Sequence, residues 1–378
     1  MKLAFITLMA GQPFGGSEVL WSRMALLALE EGHDVLVSAY DWKSKTHPVY
    51  RELEEKGAVL LKRRRYNEAM TIHAKLRTYL EIRNRLRTRD WEFLSTFKPN
   101  LVLINQGGCF DLLQHNRSLI LAMQKNKIRY TLISHSHPQY SYLPDPSVYP
   151  DGKEVFSNAA YTVFISQRQK EIVEKALLCR LSNAIFSWNP LNLENPVALP
   201  WPKENTFEMA LSGALVSGKG HDLAIEILST DSWRDRNWNL NIYGSGPGEK
   251  YLRDLSGFYD LNERITFHGH VASATEIYNE NHILLVPSSA EGLPISMLEA
   301  LTSGRPVVAT DVGGIREILV EGINGFIAEA PSLSSFSDAL ERAWNQKERW
   351  SHMGNIAREI MDKIDLRPEI TLLNKILS

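Results

Sequence analysis

The 378-residue chain has little cysteine, only Cys109 and Cys179. Two such residues build neither a disulfide framework nor a metal site of cysteine spacing, so a reducing, cytoplasmic setting is expected. No apolar run reaches the ~18 residues that a membrane span needs. Net charge is small, −2 at pH 7, which argues against a polyanion-binding molecule. No short-period repeat and no low-complexity tract occurs. Asp-x-Asp is missing too, and with it the carboxylate pair that presents a divalent ion to a diphosphate. The loop Gly11-Gln12-Pro13-Phe14-Gly15-Gly16-Ser17-Glu18 is not Gly-x-Gly-x-x-Gly and carries no Gly-Lys-Ser/Thr, so dinucleotide and Walker readings are poor. Met1-Lys2 before residues 3–10 imitates a short signal peptide. The same run reads as a buried first strand, because a glycine-rich turn and a helix continue it without a break.

What is present is an ordinary globular composition, 44% hydrophobic and 23% charged, on a chain long enough for two domains. Short β-rich runs at 3–8, 34–40, 58–61, 100–105, 130–134 and 161–166 alternate with helical patterns at 17–31 and 70–91. Ser17 is the expected N-cap of the first helix. Pro190, Pro196, Pro200 and Pro202 then crowd a linker. Alternation restarts with strands at 207–211, 240–243, 265–267, 282–286 and 306–309 and helices at 221–228 and 294–303. This pattern predicts an α/β protein of two Rossmann-like domains with parallel sheets. The expected bounds are 1–195 and 196–361, with a terminal helix, about 362–378, packing back on the first domain. Ligands of open α/β sheets sit outside the carboxyl strand ends, so the expected site is an interdomain cleft.

The strongest motif is Ser288-Ser289-Ala290-Glu291-Gly292-Leu293-Pro294-Ile295-Ser296-Met297-Leu298-Glu299-Ala300, just past an apolar strand. Pro294 suits a first helical position. That places Gly292 and Leu293 at a helix N-terminus, a site that favours an anion such as a diphosphate. Glu291 lies before the helix and Glu299 one to two turns inside it, so the two carboxylates can reach different parts of one extended ligand. A second motif, Leu211-Ser212-Gly213-Ala214-Leu215-Val216-Ser217-Gly218-Lys219-Gly220-His221-Asp222, follows a strand and opens a helix.

With Gly304-Arg305-Pro306-Val307-Val308-Ala309-Thr310 and Asp311-Val312-Gly313-Gly314, the Glu-x7-Glu segment resembles the family 4 retaining glycosyltransferases of GT-B fold. The resemblance spans about residues 15–325, specific in the second half and loose in the first. It implies transfer of a hexosyl group, with retention and without metal or cofactor, from a UDP- or GDP-linked sugar to an acceptor hydroxyl. The first half would bind the acceptor and the second the donor. Glu291 would contact the donor sugar and Glu299 the ribose hydroxyls. Lys219 matches the family lysine that neutralises the diphosphate. The family arginine is Ala214 here, which puts donor affinity or rate in doubt. Gly15 and Gly16 match a Gly-Gly loop near the diphosphate. In Ile133-Ser134-His135-Ser136-His137, placed just past a strand, His135 matches a histidine on the donor sugar, with His137 as the alternative. Two histidines two apart suggest a metal as well, but no third ligand is evident.

Residues 62–89 are strongly basic and interleaved with apolar residues. Such a stripe suits the inner face of an anionic membrane or an acidic or pyrophosphate-linked lipid acceptor; a solvated helix face is the plainer alternative. The expected acceptor overall is a carbohydrate or lipid-linked one. Nucleic acid is not an expected partner. The competing functions are a nucleotide-sugar-binding protein without catalysis, a sugar-nucleotide epimerase on the same fold, and a nicotinamide-dependent oxidoreductase.

Overall fold

The computed structural model describes every residue except 12, 44–45, 64–89, 137–148, 194–196 and 204–205. The chain divides into two compact units, Met1–Pro190 with Arg367–Ser378, and Leu191–Leu366.

The first unit holds a seven-stranded parallel sheet: β1 (Lys2–Thr7), β2 (Asp34–Tyr40), β3 (Val59–Arg63), β4 (Leu101–Gly108), β5 (Tyr130–Ser136), β6 (Tyr161–Phe164) and β7 (Ala184–Phe186). Their order is β3-β2-β1-β4-β5-β6-β7. Because strand side chains alternate between faces, one strand feeds two cores. Ala4, Ile6, Val102 and Ile104 pack on one face. Leu3, Phe5, Val35, Val37, Leu101 and Leu103 pack on the other. Both faces are covered, so β1 reads as an unbroken apolar run rather than an alternation. The second core also takes Leu20, Trp21 and Met24 from the helix Gly16–Glu30, and Leu372, Leu373 and Ile376 from the terminal helix Pro368–Leu377. Burying each of these side chains contributes about 1.5–3 kcal/mol.

The second unit holds six parallel strands: β8 (Phe207–Ser212), β9 (Trp238–Tyr243), β10 (Ile265–Gly269), β11 (Ile283–Val286), β12 (Val307–Thr310) and β13 (Gly325–Ala328). Their order is β10-β9-β8-β11-β12-β13. One core cluster includes Trp233, Trp238, Trp344 and Trp350, with Trp344 edge-on to Trp350 at 6.3 Å. Arg305 is fully buried and donates to the carbonyls of Tyr278, Asn281, Leu199 and Pro200. The Gly-Arg-Pro segment thereby ties the proline-rich entry of this unit to its sheet. In each sheet the order turns, at β1/β4 and at β8/β11, and the carboxyl edge at such a turn is where ligands of open α/β sheets bind.

Several local expectations are corrected. The first helix begins at Gly16 with Gly15 as N-cap and no side-chain cap, so Ser17 lies inside the helix. Pro294 is an N-cap with extended backbone (φ −62°, ψ 122°), and the helix runs Ile295–Thr302. His135 lies within β5 rather than past it. Most of the 70–91 helical stretch, the basic stripe beyond Arg63 and His137 fall outside the described residues. Among the described residues, no helix is long and apolar enough to cross a membrane.

Candidate functional site

At the carboxyl edge of the second sheet, glycine decides how closely the loops approach. Gly220 has φ +71°, and a Cβ there would lie 2.1 Å from the Pro287 carbonyl oxygen. Only glycine lets the loop after β8 lie flat on the loop after β11. The contact is sealed where the Ser289 N–H donates to the Gly218 carbonyl at 2.8 Å. On the other side, a Cβ on Gly313 would lie 2.2 Å from the Gly292 carbonyl oxygen, and the Gly314 N–H donates to that oxygen at 2.7 Å. Glu291 and Gly292 are thus clamped between two glycine loops. Across the clamp, Lys219 Nζ meets Glu291 Oε1 at 2.5 Å.

Leu293 and Pro294, both buried, lead into the helix Ile295–Thr302. Its first-turn N–H groups have no intrahelical acceptor, and its dipole favours an anion beside Lys219. Glu299 sits on the same helix, 5% exposed. Its Oε1 accepts the Asn192 N–H at 2.8 Å, so its carboxylate is tied to the entry segment of the unit. Burial, then the Glu299 charge, pushes the Tyr278 phenol well above its ordinary range. Arg316, near this edge, is held by Asp311 and Glu329. Ala214 supplies no cation where the resemblance expects an arginine.

The first unit builds its carboxyl edge from buried polar side chains instead. Glu18, on the first turn of the helix Gly16–Glu30, accepts the Thr7 hydroxyl at 2.6 Å and the Trp21 indole N–H at 2.7 Å. Asn105 Nδ2 donates to Glu18 Oε1 at 3.4 Å. Asn105 Oδ1 lies 2.6 Å from His135 Nε2. With Glu18 ionised, its carboxylate only accepts, which turns the Asn105 amide so that oxygen faces the ring; the network then assigns the imidazole proton to Nε2. Nδ1 of His135 is buried. Burial pushes His135 down to about 4, opposed by the neighbouring Asn189 side chain, so the ring is neutral at pH 7. Burial also pushes Glu18 up to about 7, against the lowering pull of Thr7, Trp21 and Arg63.

The expected site residues therefore fall into two groups. Lys219, Glu291, Gly292 and Leu293 meet at the edge of the second sheet, with Glu299 farther along the same helix. Gly15, Gly16 and His135 belong to the first unit. Gly15 has extended backbone (φ −163°) that any residue adopts, and neither Gly15 nor Gly16 is in the left-handed region. Their conformation does not demand glycine. Glu18, Asn105 and Asn192 escaped the sequence reading; an acid on the buried stripe of the first helix was the available signal for Glu18. Among the described residues, no group of three or more His, Cys, Asp or Glu is arranged to hold a metal ion.

Residues 200–360, less than half of the chain, match the family model described as glycosyl transferases group 1. An uncharacterized glycosyltransferase of Haemophilus influenzae is 29% identical over 147 residues, which is 39% of this chain and 42% of that protein. Alpha-D-kanosaminyltransferase of Streptomyces kanamyceticus is 29% identical over 147 residues, 38% of each. These alignments span about two fifths of those relatives' length. Lipopolysaccharide 1,6-galactosyltransferase of Escherichia coli is 23% identical over 257 residues, 66% of this chain and 67% of that one. Among solved structures, Anabaena Alr3699/HepE in complex with UDP superposes with a TM-score of 0.69 at 15% identity, covering 100% of this chain and 98% of that one. A glycosyltransferase from Rickettsia africae superposes with a TM-score of 0.73 at 14% identity, with the same coverage. The fold is GT-B.

Proposed function

We propose that the chain is a glycosyltransferase that moves a hexosyl group from a nucleotide-diphosphate sugar to an acceptor hydroxyl. One observation carries this reading: Lys219 and Glu291 meet 2.5 Å apart, with Glu291 three residues before Pro294, the N-cap of the helix Ile295–Thr302. A cation beside a helix N-terminus suits a diphosphate, and a carboxylate next to it suits sugar hydroxyls. The family match over residues 200–360 covers this same region.

In this reading Lys219, the first-turn N–H groups and the Gly292-Leu293 backbone stabilise the charge that grows on the leaving diphosphate. Glu291 orients the sugar and stabilises positive charge near its ring. Glu299, already fixed by Asn192, takes the ribose. In the first unit, neutral His135 and the Gly15-Gly16 loop are the proposed substrate contacts. Retention of anomeric configuration and independence of metal follow from the family 4 resemblance. UDP is the favoured nucleotide, since HepE is solved in complex with UDP and with UDP-glucose; GDP is the other candidate. The acceptor is a carbohydrate or a lipid-linked glycan, and the role is glycan, polysaccharide or glycolipid assembly. The basic residues 62–89 are the proposed peripheral contact with a membrane face.

The test is Glu291→Gln. Loss of one preorganised charge at the reacting centre is expected to lower kcat by about 100- to 1,000-fold, with the thermal unfolding curve unchanged. Transfer at the wild-type rate would sink the assignment.

A further inference from the structure

The Lys219–Glu291 pair has a consequence for what the site binds. It is the one ion pair Glu291 makes among the described residues. Its members are unequally exposed, Glu291 at 13% and Lys219 at 34%. The backbone on both sides is fixed: Gly218 by Ser289, Gly220 against Pro287, and Gly292 by Gly314. Neither loop can draw back without breaking these contacts, so the backbones that carry the two side chains stay close. Glu291 is the anion that Lys219 holds.

We propose that Glu291 is a built-in competitor of the diphosphate for Lys219, and that this makes the site prefer a nucleotide sugar over a bare nucleoside diphosphate. The proposal rests on the donor-site reading given above. A diphosphate that takes Lys219 leaves the mostly buried Glu291 carboxylate without its cation, and an uncompensated carboxylate is costly. Sugar hydroxyls are donors and can satisfy the displaced carboxylate. A nucleotide sugar brings its own compensation; the nucleoside diphosphate left after transfer does not. Glu291 then reclaims Lys219, which favours product release. Sugar recognition and diphosphate binding are coupled through one proton-free exchange of partners, with no bond made or broken.

The competition makes an unusual demand on Glu291→Gln: a variant that loses transfer should bind the product better. Calorimetric titration of UDP and of GDP into the full chain is expected to give about 3- to 10-fold tighter binding to Glu291→Gln than to wild type, the range set by a partly exposed charge pair. The preference for the matching nucleotide sugar over the diphosphate should shrink in the same variant. In a Lys219→Ala background, the Glu291→Gln gain should fall, because the contested cation is gone. Thermal unfolding of each variant is expected to match wild type, which separates the effect from loss of fold. Equal or weaker diphosphate binding by Glu291→Gln overturns the proposal while leaving the donor site in place. Failure of wild type to bind either diphosphate removes the donor-site reading, and the competition with it.

Discussion

The two units carry sheets of the same kind but build their carboxyl edges from different materials. In the second unit the edge is backbone: glycines at 218, 220, 313 and 314 press loops together until Lys219 and Glu291 meet. In the first unit it is a buried side-chain chain, Glu18 to Asn105 to His135, drawn from the first helix, β4 and β5. Backbone clamps tolerate polar ligands at their rim because few side chains need partners there. A buried polar chain is rigid only while each member is satisfied. The same topology thus yields one edge where a lysine meets a carboxylate and another where a buried polar chain ends on a single histidine.

The comparison can be broken first through the cores. Leu373→Ala is expected to cost about 2–5 kcal/mol, because Leu373 is fully buried in the first unit. Hydrogen exchange should report loosening of Met1–Pro190 with Leu191–Leu366 unaffected; equal loosening of both would contradict separate cores. Gly220→Ala attacks the clamp of the second unit. Its left-handed φ and the Pro287 carbonyl leave no room for a methyl, so about 1–3 kcal/mol of strain is expected, read as a lower Tm.

Acid sharpens the contrast further. In the second unit, burial pushes His221 and His282 each down to about 4. A histidine depressed in the folded state binds its proton more readily once unfolded, so this unit loses stability as pH falls from about 6.5 to 4. In the first unit His135 acts the same way. Glu18 opposes it, because a carboxyl raised to about 7 favours the folded state below its folded pKa and loses that contribution as pH rises from about 4.5 to 7. Between pH 6.5 and 4.5, exchange should speed more in the second unit than in the first, and Glu18→Gln should narrow the difference. The smallest expected effect is on one proton. Nitrogen NMR should find His135 as the Nε2–H tautomer, and Asn105→Ala should release it to a mixture. An unchanged tautomer in that variant would remove the relay.

The fold was largely legible in the sequence, since apolar runs in a parallel sheet are long and their helices periodic. The strands at 34–40 and the helix at 221–228 keep their expected bounds. Helix starts were less legible. Ser17 and Pro294 each satisfy a local preference, yet the chain enters those helices one or two residues away. The second unit's edge was legible because its parts lie in two short motifs. The first unit's was not, because Glu18, Asn105 and His135 are neighbours only once β1, β4 and β5 are paired. No spacing in the chain announces them.

The most direct measurement is calorimetric titration of UDP and GDP into the full chain and into Lys219→Ala. The expected result is saturable binding of one diphosphate by wild type, weakened about 10- to 100-fold in the variant, the worth of a hydrogen bond to a charged group. Binding of neither diphosphate, or equal binding by both proteins, would contradict a donor site built on Lys219.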